Sequence, residues 1–434
     1  MEDQYPKSKN ATPNMAKSYS SITPWIIWGL AATFFLTEYF ARIAPGIMVP
    51  ELMQAFKVNA LSLGSMTAIF YTAYVGMQMP VGTLVDRFGP HRLLTVTAGI
   101  CALGCFLFAS SNYLALAQIG RFLMGFGASF AFVGTLKLAT IWFPPIRFGF
   151  LSGLTQALGM VGGAASAGPL AVVAHATGWR NTMWGIGIVL LVVGVLIGLF
   201  VRDKPKEKRY LKTGPTEKKI GFWKSFKIVL QNPQSWLNSF YAALVYAPTA
   251  AFAELWGTTY LSRVYNIDRT MAANAVSCIF LGLAIGCPIA GWISDRIRRR
   301  IPIMQAAALF SLLFMSCALY IPNLSVSALF ILLFLYGLAN SGFAASYAVA
   351  SEINPREVAG TSMGFANMAS VTGACFQPLI GWFLVLQWSG EMLNGAPVYS
   401  VEAFRHAMMA LPVCLGVGVL ITFFIKETYC QFVK

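Results

Sequence analysis

The chain has 434 residues, 57% of them hydrophobic and only 11% charged, and carries a formal net charge of +15. A soluble domain carries about a quarter charged residues, so this chain has too few to coat a water-facing surface, and most of its outside has to face lipid. The basic residues sit in short clusters between apolar runs, so the positive charge reads as membrane topology and excludes a nucleic-acid partner.

In chain order, residues 1–23 form a polar, mildly basic tail with no apolar core leading to a small-residue cleavage site, so no cleaved signal peptide is expected. A bilayer core of ~30 Å takes ~20 apolar residues per helix. On that measure spans are predicted near 24–48, 60–84, 92–110, 113–140, 148–172 and 179–201, and, after a polar stretch, near 236–262, 272–293, 301–321, 325–350, 357–386 and 402–425. The expected organisation is therefore an N-terminal bundle over 24–201, a linker over 202–235, a C-terminal bundle over 236–425 and a tail over 426–434. The linker begins RDKPKEKRYLKTGPTEKK and ends GFWKSFKIVL. Its second part reads either as a surface helix, with Phe222, Trp223 and Phe226 dipping into lipid and Lys224 and Lys227 on headgroups, or as an extension of span seven.

Of the 31 lysines and arginines, Lys57, Arg180, Arg263, Arg269 and Arg405 fall on one side of these spans, and Arg42, Arg121 and Lys137 lie within them. The rest crowd the other side, which predicts that both termini are cytoplasmic. The eight cysteines lie mostly in apolar runs without ligand-like spacing, and the three histidines sit at loops or span ends. They suggest neither a disulfide framework nor a metal site. There is no HExxH, no phosphate-cradling loop with lysine and no Cys/His cluster, so neither an enzyme nor a cofactor is expected.

Landmarks recur 209 positions apart. Gly82 and Asp86-Arg87 match Gly291 and Asp295-Arg296, Arg147 matches Arg356, Pro169 matches Pro378, and Trp179 matches Trp388. A constant offset across six spans indicates two homologous halves. The segment Gly82-Thr-Leu-Val-Asp86-Arg87-Phe88-Gly89-Pro90-His91-Arg92 resembles the signature loop between spans two and three of the major facilitator superfamily, and Gly291-Trp-Ile-Ser-Asp295-Arg296 resembles its second copy. RFLMGFG at 121–127 and GMVGGAASAGP at 159–169 resemble the superfamily's span-four and span-five motifs. EYFARIAP in span one and YTAYVGMQMPVGTLVDRFGP around span two are similar to phagosomal nutrient transporters and to the anion–cation symporter branch.

The resemblance implies an all-α membrane protein of twelve transmembrane helices in two pseudo-symmetric six-helix bundles, located in a bacterial inner membrane. It implies a cytoplasmic latch of Gly82, Asp86, Arg87, Gly89, Arg92, Asp295 and Arg296, and a central cavity lined by spans one, four, seven and ten.

The charges inside the spans point to that cavity. Glu38 and Arg42 are four residues apart and share one helix face. An ion at mid-membrane is costly, so the pair has to face the protein interior or water. At ~1.5 Å per residue, Arg42 and Arg121 fall roughly 9 Å from the midplane, Glu254 about 6 Å and Glu38 about 3 Å. Two readings stand: a buried ion-pair network joining Glu38, Arg42 and Arg121, or a substrate site. Lys137 reads as snorkelling to the inner interface.

The three cations against Glu38 and Glu254 suit an anionic or zwitterionic solute, since arginine can hold a carboxylate through two parallel bonds. Candidate substrate contacts are Arg42, Arg121, Tyr39, Tyr71, Tyr74, Gln78, Tyr246, Asn340 and Tyr347. Glu38 and Glu254 are the candidate proton-coupling groups, because an anion loaded onto Arg42 frees Glu38 from its partner. The expected function is proton-coupled uptake of an amino acid, organic acid or similar nutrient, with siderophore import or drug or metabolite efflux as the alternatives. Its partners would be the solute, protons and the bilayer, with no obligate protein partner.

Overall fold

In lipid a backbone has to pair its own N–H and C=O groups, which leaves helices as the way across. The computed structural model describes residues 22–143, 148–203, 222–355, 358–393 and 396–431, with the backbone alone at 79, 83, 86, 148–150 and 222. Arg147 and Arg356, most of the N-tail and most of the linker lie outside the described residues.

Span one is α1 (Thr23–Ile47), and a short α2 (Val49–Phe56) then caps one end of the molecule, called here the α2 end. Spans two to four are α3 (Ala60–Phe88), α4 (Pro90–Ser110) and α5 (Leu114–Trp142). Span five breaks at Gly168 into α6 (Phe148–Ala167) and α7 (Pro169–Thr177), and span six is α8 (Trp179–Phe200). The linker ends in α9 (Phe222–Gln231). Span seven runs as α10 (Pro233–Pro248), a π-helix (Thr249–Trp256) and α11 (Gly257–Tyr265). Spans eight and nine are α12 (Arg269–Ile297) and α13 (Ile301–Tyr320). Span ten joins α14 (Val326–Asn340) to α15 (Ala345–Glu352) through a 3-10 turn, and span eleven joins α16 (Ala359–Thr372) to α17 (Phe376–Leu386) in the same way. A small antiparallel hairpin, β1 (Met392–Leu393) with β2 (Ala396–Pro397), precedes span twelve, α18 (Val401–Met408) with α19 (Ala410–Thr422).

Among the described residues eleven helices are long and apolar enough to cross a bilayer, and the twelfth crossing is the interrupted span seven. It begins at Pro233, three residues before the expected boundary, because Asn232 caps it by accepting from the Gln234 N–H at 2.9 Å. The cap also separates α9 from span seven. The buried Val229 of α9 packs with Val358 and Phe365 of the span-eleven region, while Trp223 stands exposed.

The repeat is written in the helix ends as well as in the motifs. Span two (Ala60–Phe88) and span eight (Arg269–Ile297) have the same 29-residue length and start and finish 209 positions apart. Asn59 and Asp268, also 209 apart, each cap the helix that follows by accepting from a backbone N–H, of Ser62 and Met271, both at 3.0 Å. Lys57 and Asn266 share the left-handed conformation before the cap, with φ of 53° and 51°. At the far end an acid lying just past each half's last span caps the third span of that half. Asp203 accepts from the His91 N–H at 2.7 Å, and Glu427 accepts from the N–H groups of Arg300 and Ile301 at 2.8 and 3.0 Å. His91 and Arg300 are again 209 apart. A carboxylate there meets both the unpaired N–H groups and the positive end of the helix dipole.

The two halves pack mainly along two seams, span two against span eleven and span five against span eight, and also touch where span one meets span seven. The small residues of GMVGGAASAGP serve the second seam, where Ser277 of span eight donates to the Ala164 carbonyl at 2.7 Å.

Removing the acid caps with Asp203→Ala or Glu427→Ala should each cost about 1 kcal/mol and lower the melting temperature of the purified protein, with the larger drop for Glu427→Ala because it serves two N–H groups. Equal melting curves for both variants and the parent would show that these caps are idle.

Candidate functional site

The geometry of the site begins with a missing hydrogen. Pro45 lies in the last turn of span one and has no N–H, so the carbonyl four residues earlier, that of Ala41, loses its helical partner. Arg121 of span four takes that carbonyl at 2.7 Å and also reaches the carbonyls of Arg42 at 3.4 Å and Thr67 at 3.3 Å. Its guanidinium lies 4.8 Å from the centre of the Phe70 ring, and the residue is 1% exposed. The expected three-membered network of Glu38, Arg42 and Arg121 is therefore not the arrangement observed. Arg121 ties spans one, two and four together through backbone oxygens.

Arg42 remains in the middle with Glu38. Their pair is made through one nitrogen and one oxygen at 2.7 Å, and both side chains are buried. Three rings surround the guanidinium carbon: Tyr39 at 4.4 Å, Tyr74 at 5.0 Å and Phe70 at 5.5 Å. Such rings attract a cation through their faces. The second oxygen of Glu38, Nε of Arg42 and the side-chain nitrogen of Gln78 are buried and have no protein partner. Buried polar atoms are normally satisfied, so two donors and one acceptor are left free around one aromatic box.

Glu254 comes to this cluster from span seven. Its carboxylate accepts from the Tyr246 hydroxyl at 3.1 Å and from the Tyr71 hydroxyl of span two. The π-helix that carries Glu254 is a local fault in the α pattern, in which the Gly257 N–H bonds five residues back to Phe252. Such turns collect at functional positions. The fault has its own carbonyl accounting. The Thr249 N–H bonds to Tyr246 in place of Val245, and Asn340 of span ten supplies the freed Val245 carbonyl with a donor at 2.9 Å. Gln377 of span eleven donates to the Ala250 carbonyl within the π-helix at 2.8 Å.

Seven of the residues expected at the site thus converge: Glu38, Tyr39, Arg42, Tyr71, Tyr74, Tyr246 and Glu254. Gln78, at the edge of the box, links it to Tyr347 through a relay in which the Tyr347 hydroxyl donates to the Asn367 oxygen at 3.0 Å and the Asn367 nitrogen donates to the Gln78 oxygen at 2.8 Å. Arg121 and Asn340 are committed to backbone carbonyls instead. Phe70 and Gln377 were not singled out from the sequence, since a phenylalanine in an apolar run and a lone glutamine give no signal of their own.

The motif loops lie at the end opposite α2. The side chain of Asp86 lies outside the described residues, and Arg87 and Arg92 are exposed. Arg87 lies over the Phe88 ring and Arg296 over the Trp292 ring, both at 5.3 Å. Gly89 turns with φ of 83° between spans two and three. Asp295 pairs with Arg300 at 2.6 Å, and Arg300 also pairs with Glu352 at 2.9 Å.

Comparison with known proteins matches the family described as Major Facilitator Superfamily over residues 30–378 and 255–429. The chain is similar to the membrane sensor protein UhpC of Escherichia coli (strain K12), at 28% identity over 86% of this chain and 88% of that one. It is similar to the probable sulfoacetate transporter SauU of Cupriavidus necator, at 23% identity over 93% and 94% of the two chains. The probable galactarate/D-glucarate transporter GudP of Bacillus subtilis is 24% identical over 89% of this chain and 92% of its own. Among solved structures, a bacterial homolog to the human lysosomal transporter Spinster, described as inward-facing and unoccupied, superposes with a TM-score of 0.75 at 16% identity, over 94% of this chain and 97% of that one.

Arg121→Leu should leave the Ala41 carbonyl unpaired in a dry site, a loss of about 1–3 kcal/mol, seen as a lower melting temperature and less folded protein. Adding Pro45→Ala restores a backbone N–H to that carbonyl and should recover part of the loss. No recovery in the double variant would show that Arg121 does not act through Ala41.

Proposed function

Since the chain belongs to the major facilitator superfamily, we propose that this multi-pass membrane transporter carries a small organic anion together with protons, by alternating access to the cluster around Arg42. The observation that carries the proposal is the arginine itself. It is buried in span one, boxed by three rings, bonded to Glu38 through one nitrogen only and left with a free Nε. An incoming carboxylate or sulfonate can exchange with Glu38 on the guanidinium. The free Gln78 nitrogen offers a second donor and the free Glu38 oxygen an acceptor, which suits a solute with a second polar group.

Charge arithmetic supports proton coupling. The terminal nitrogens of Arg121 are taken by carbonyls, so in this reading a solute meets Arg42 with Glu38 and Glu254. With both carboxylates ionised, Arg42 already faces two negative charges and a further anion is unfavourable. Each proton taken up removes one negative charge, so solute and proton enter together. The names of SauU and GudP, sulfoacetate and galactarate/D-glucarate, support an acid rather than an amino acid as passenger. In this reading the protein sits in a bacterial inner membrane with both termini cytoplasmic. Residues 24–201 and 236–425 form the two moving bundles on either side of the linker, and the loops around Asp86 and Asp295 act as the cytoplasmic latch. A second reading, a sensor that binds the same anion without moving it, is favoured by the similarity to UhpC.

Two variants test this. In proteoliposomes, Arg42→Lys should lose saturable binding of galactarate, D-glucarate and sulfoacetate, because an ammonium cannot present two parallel donors. Glu254→Gln should keep solute exchange across the membrane but lose accumulation driven by a proton gradient. Undiminished binding by Arg42→Lys would refute the anion site. Proton-driven accumulation equal to the parent's in Glu254→Gln would remove that carboxylate from coupling. Binding by the parent without any flux would select the sensor.

A further inference from the structure

The α2 end of the molecule is shut by bonds that cross between the halves, and they fall at equivalent positions of the repeat. Arg269, the first residue of span eight, reaches into the other half. Its guanidinium engages both carboxylate oxygens of Glu51 on α2, one of them at 2.8 Å, and donates to the Ile47 carbonyl at 2.9 Å. Ala60, the first residue of span two, stands 209 positions earlier. Its N–H is one of the unpaired donors at a helix start, and it donates to the Tyr399 hydroxyl of the opposite half at 2.9 Å. Each half therefore lends the start of its second span to the other.

Beneath these bonds the halves touch directly. Gly46 of span one lies so close to span seven that an added Cβ would be 2.5 Å from the Glu254 carbonyl oxygen. It also approaches the Cα of Leu255, its own equivalent 209 positions on. Contact between equivalent positions is what a two-fold relation between halves produces.

The opposite end differs. Toward it, Asn367 of the second half still donates to Gln78 of the first at 2.8 Å, but the described bonds at the end itself stay within one half: Asp203 with His91 in the first, and Arg300 with Asp295, Glu352 and Glu427 in the second.

We infer that Glu51, Arg269 and Tyr399 form a clamp that holds the α2 end closed and has to release in every transport cycle. The chemistry fits a bond made and broken repeatedly. The Glu51–Arg269 pair is bidentate, which gives it direction. Its side chains are 42% and 34% exposed, so water and salt screen it and keep it weak. The Tyr399 hydroxyl is neutral, and when the halves part water can replace it at the Ala60 N–H. The inference rests on the alternating-access reading for its role, but its test needs no solute.

Hydrogen–deuterium exchange on the full-length protein reads the clamp directly. Glu51→Arg and Arg269→Glu each break the pair and should speed exchange in Val49–Phe56 and Gly257–Tyr265 about two- to fivefold, with little change in Leu114–Trp142. Combining the two reverses the pair, and exchange should return close to that of the parent. Tyr399→Phe should speed exchange at the start of span two without touching the ion pair. Unchanged exchange in both single variants, a double variant as fast as either single, or acceleration spread evenly into Leu114–Trp142 would each overturn the clamp. Failure of anion binding by the parent would refute the proposed function and leave these exchange results as they stand.

Discussion

A carbonyl that loses its helix partner inside a bilayer has no water to turn to. That constraint organises the centre of this protein. Pro45 strips the Ala41 carbonyl of its partner, and Arg121 supplies a substitute from span four. At the entry to the π-helix of span seven the Thr249 N–H leaves the Val245 carbonyl for Tyr246, and Asn340 supplies a substitute from span ten. In both places a polar side chain from a neighbouring helix takes the carbonyl that the fault leaves over. The mending fixes where span one and span seven stand, and so where Arg42 and Glu254 can meet. Polar groups at mid-membrane divide accordingly into those consumed by the backbone and those left over, and the leftovers are the chemistry of the site.

The repeat extends the same economy to the helix ends. A motif such as DRFG is conspicuous because several unusual residues stand together. The caps are quieter, one acid or amide each, yet they recur with the same offset: Asn59 and Asp268, Lys57 and Asn266, and the N–H groups of His91 and Arg300 beneath Asp203 and Glu427. Asp203 and Glu427 themselves do not keep that offset, since their loops differ in length. What the two halves share is the demand of an exposed helix start for an acceptor, and each half meets it with the acid its own chain brings near.

How far the sequence could be read follows from the range of each interaction. The spans, the duplication and the Glu38–Arg42 pair depend on residues close together in the chain or on a constant offset, and hydropathy and spacing display them. Pro45 is visible too, but the side chain that answers its fault comes from a span about 80 residues away, and nothing local names it. Arg121 and Asn340 therefore read as candidate solute contacts in the sequence, and only the packing shows them bonded to backbone carbonyls. Phe70 is an extreme case: it stands between Arg42 and Arg121, at 5.5 and 4.8 Å from their guanidinium carbons, and looks in sequence like any other lipid-span phenylalanine.

Glu254 shows why the seam between halves and the charged cluster belong to one device. Its backbone carbonyl lies against Gly46, where span one and span seven come closest. Its carboxylate takes one hydrogen bond from its own half, through Tyr246, and one from the other, through Tyr71. In the proposed transport cycle, parting the halves at the α2 end would separate Gly46 from that carbonyl and carry Tyr71 on span two away from span seven. The carboxylate would then keep Tyr246 and meet water or solute in place of Tyr71. Under that proposal one residue on a π-turn would respond both to closure of the end and to the charge in the cavity, through a path no longer than the side chain of a tyrosine.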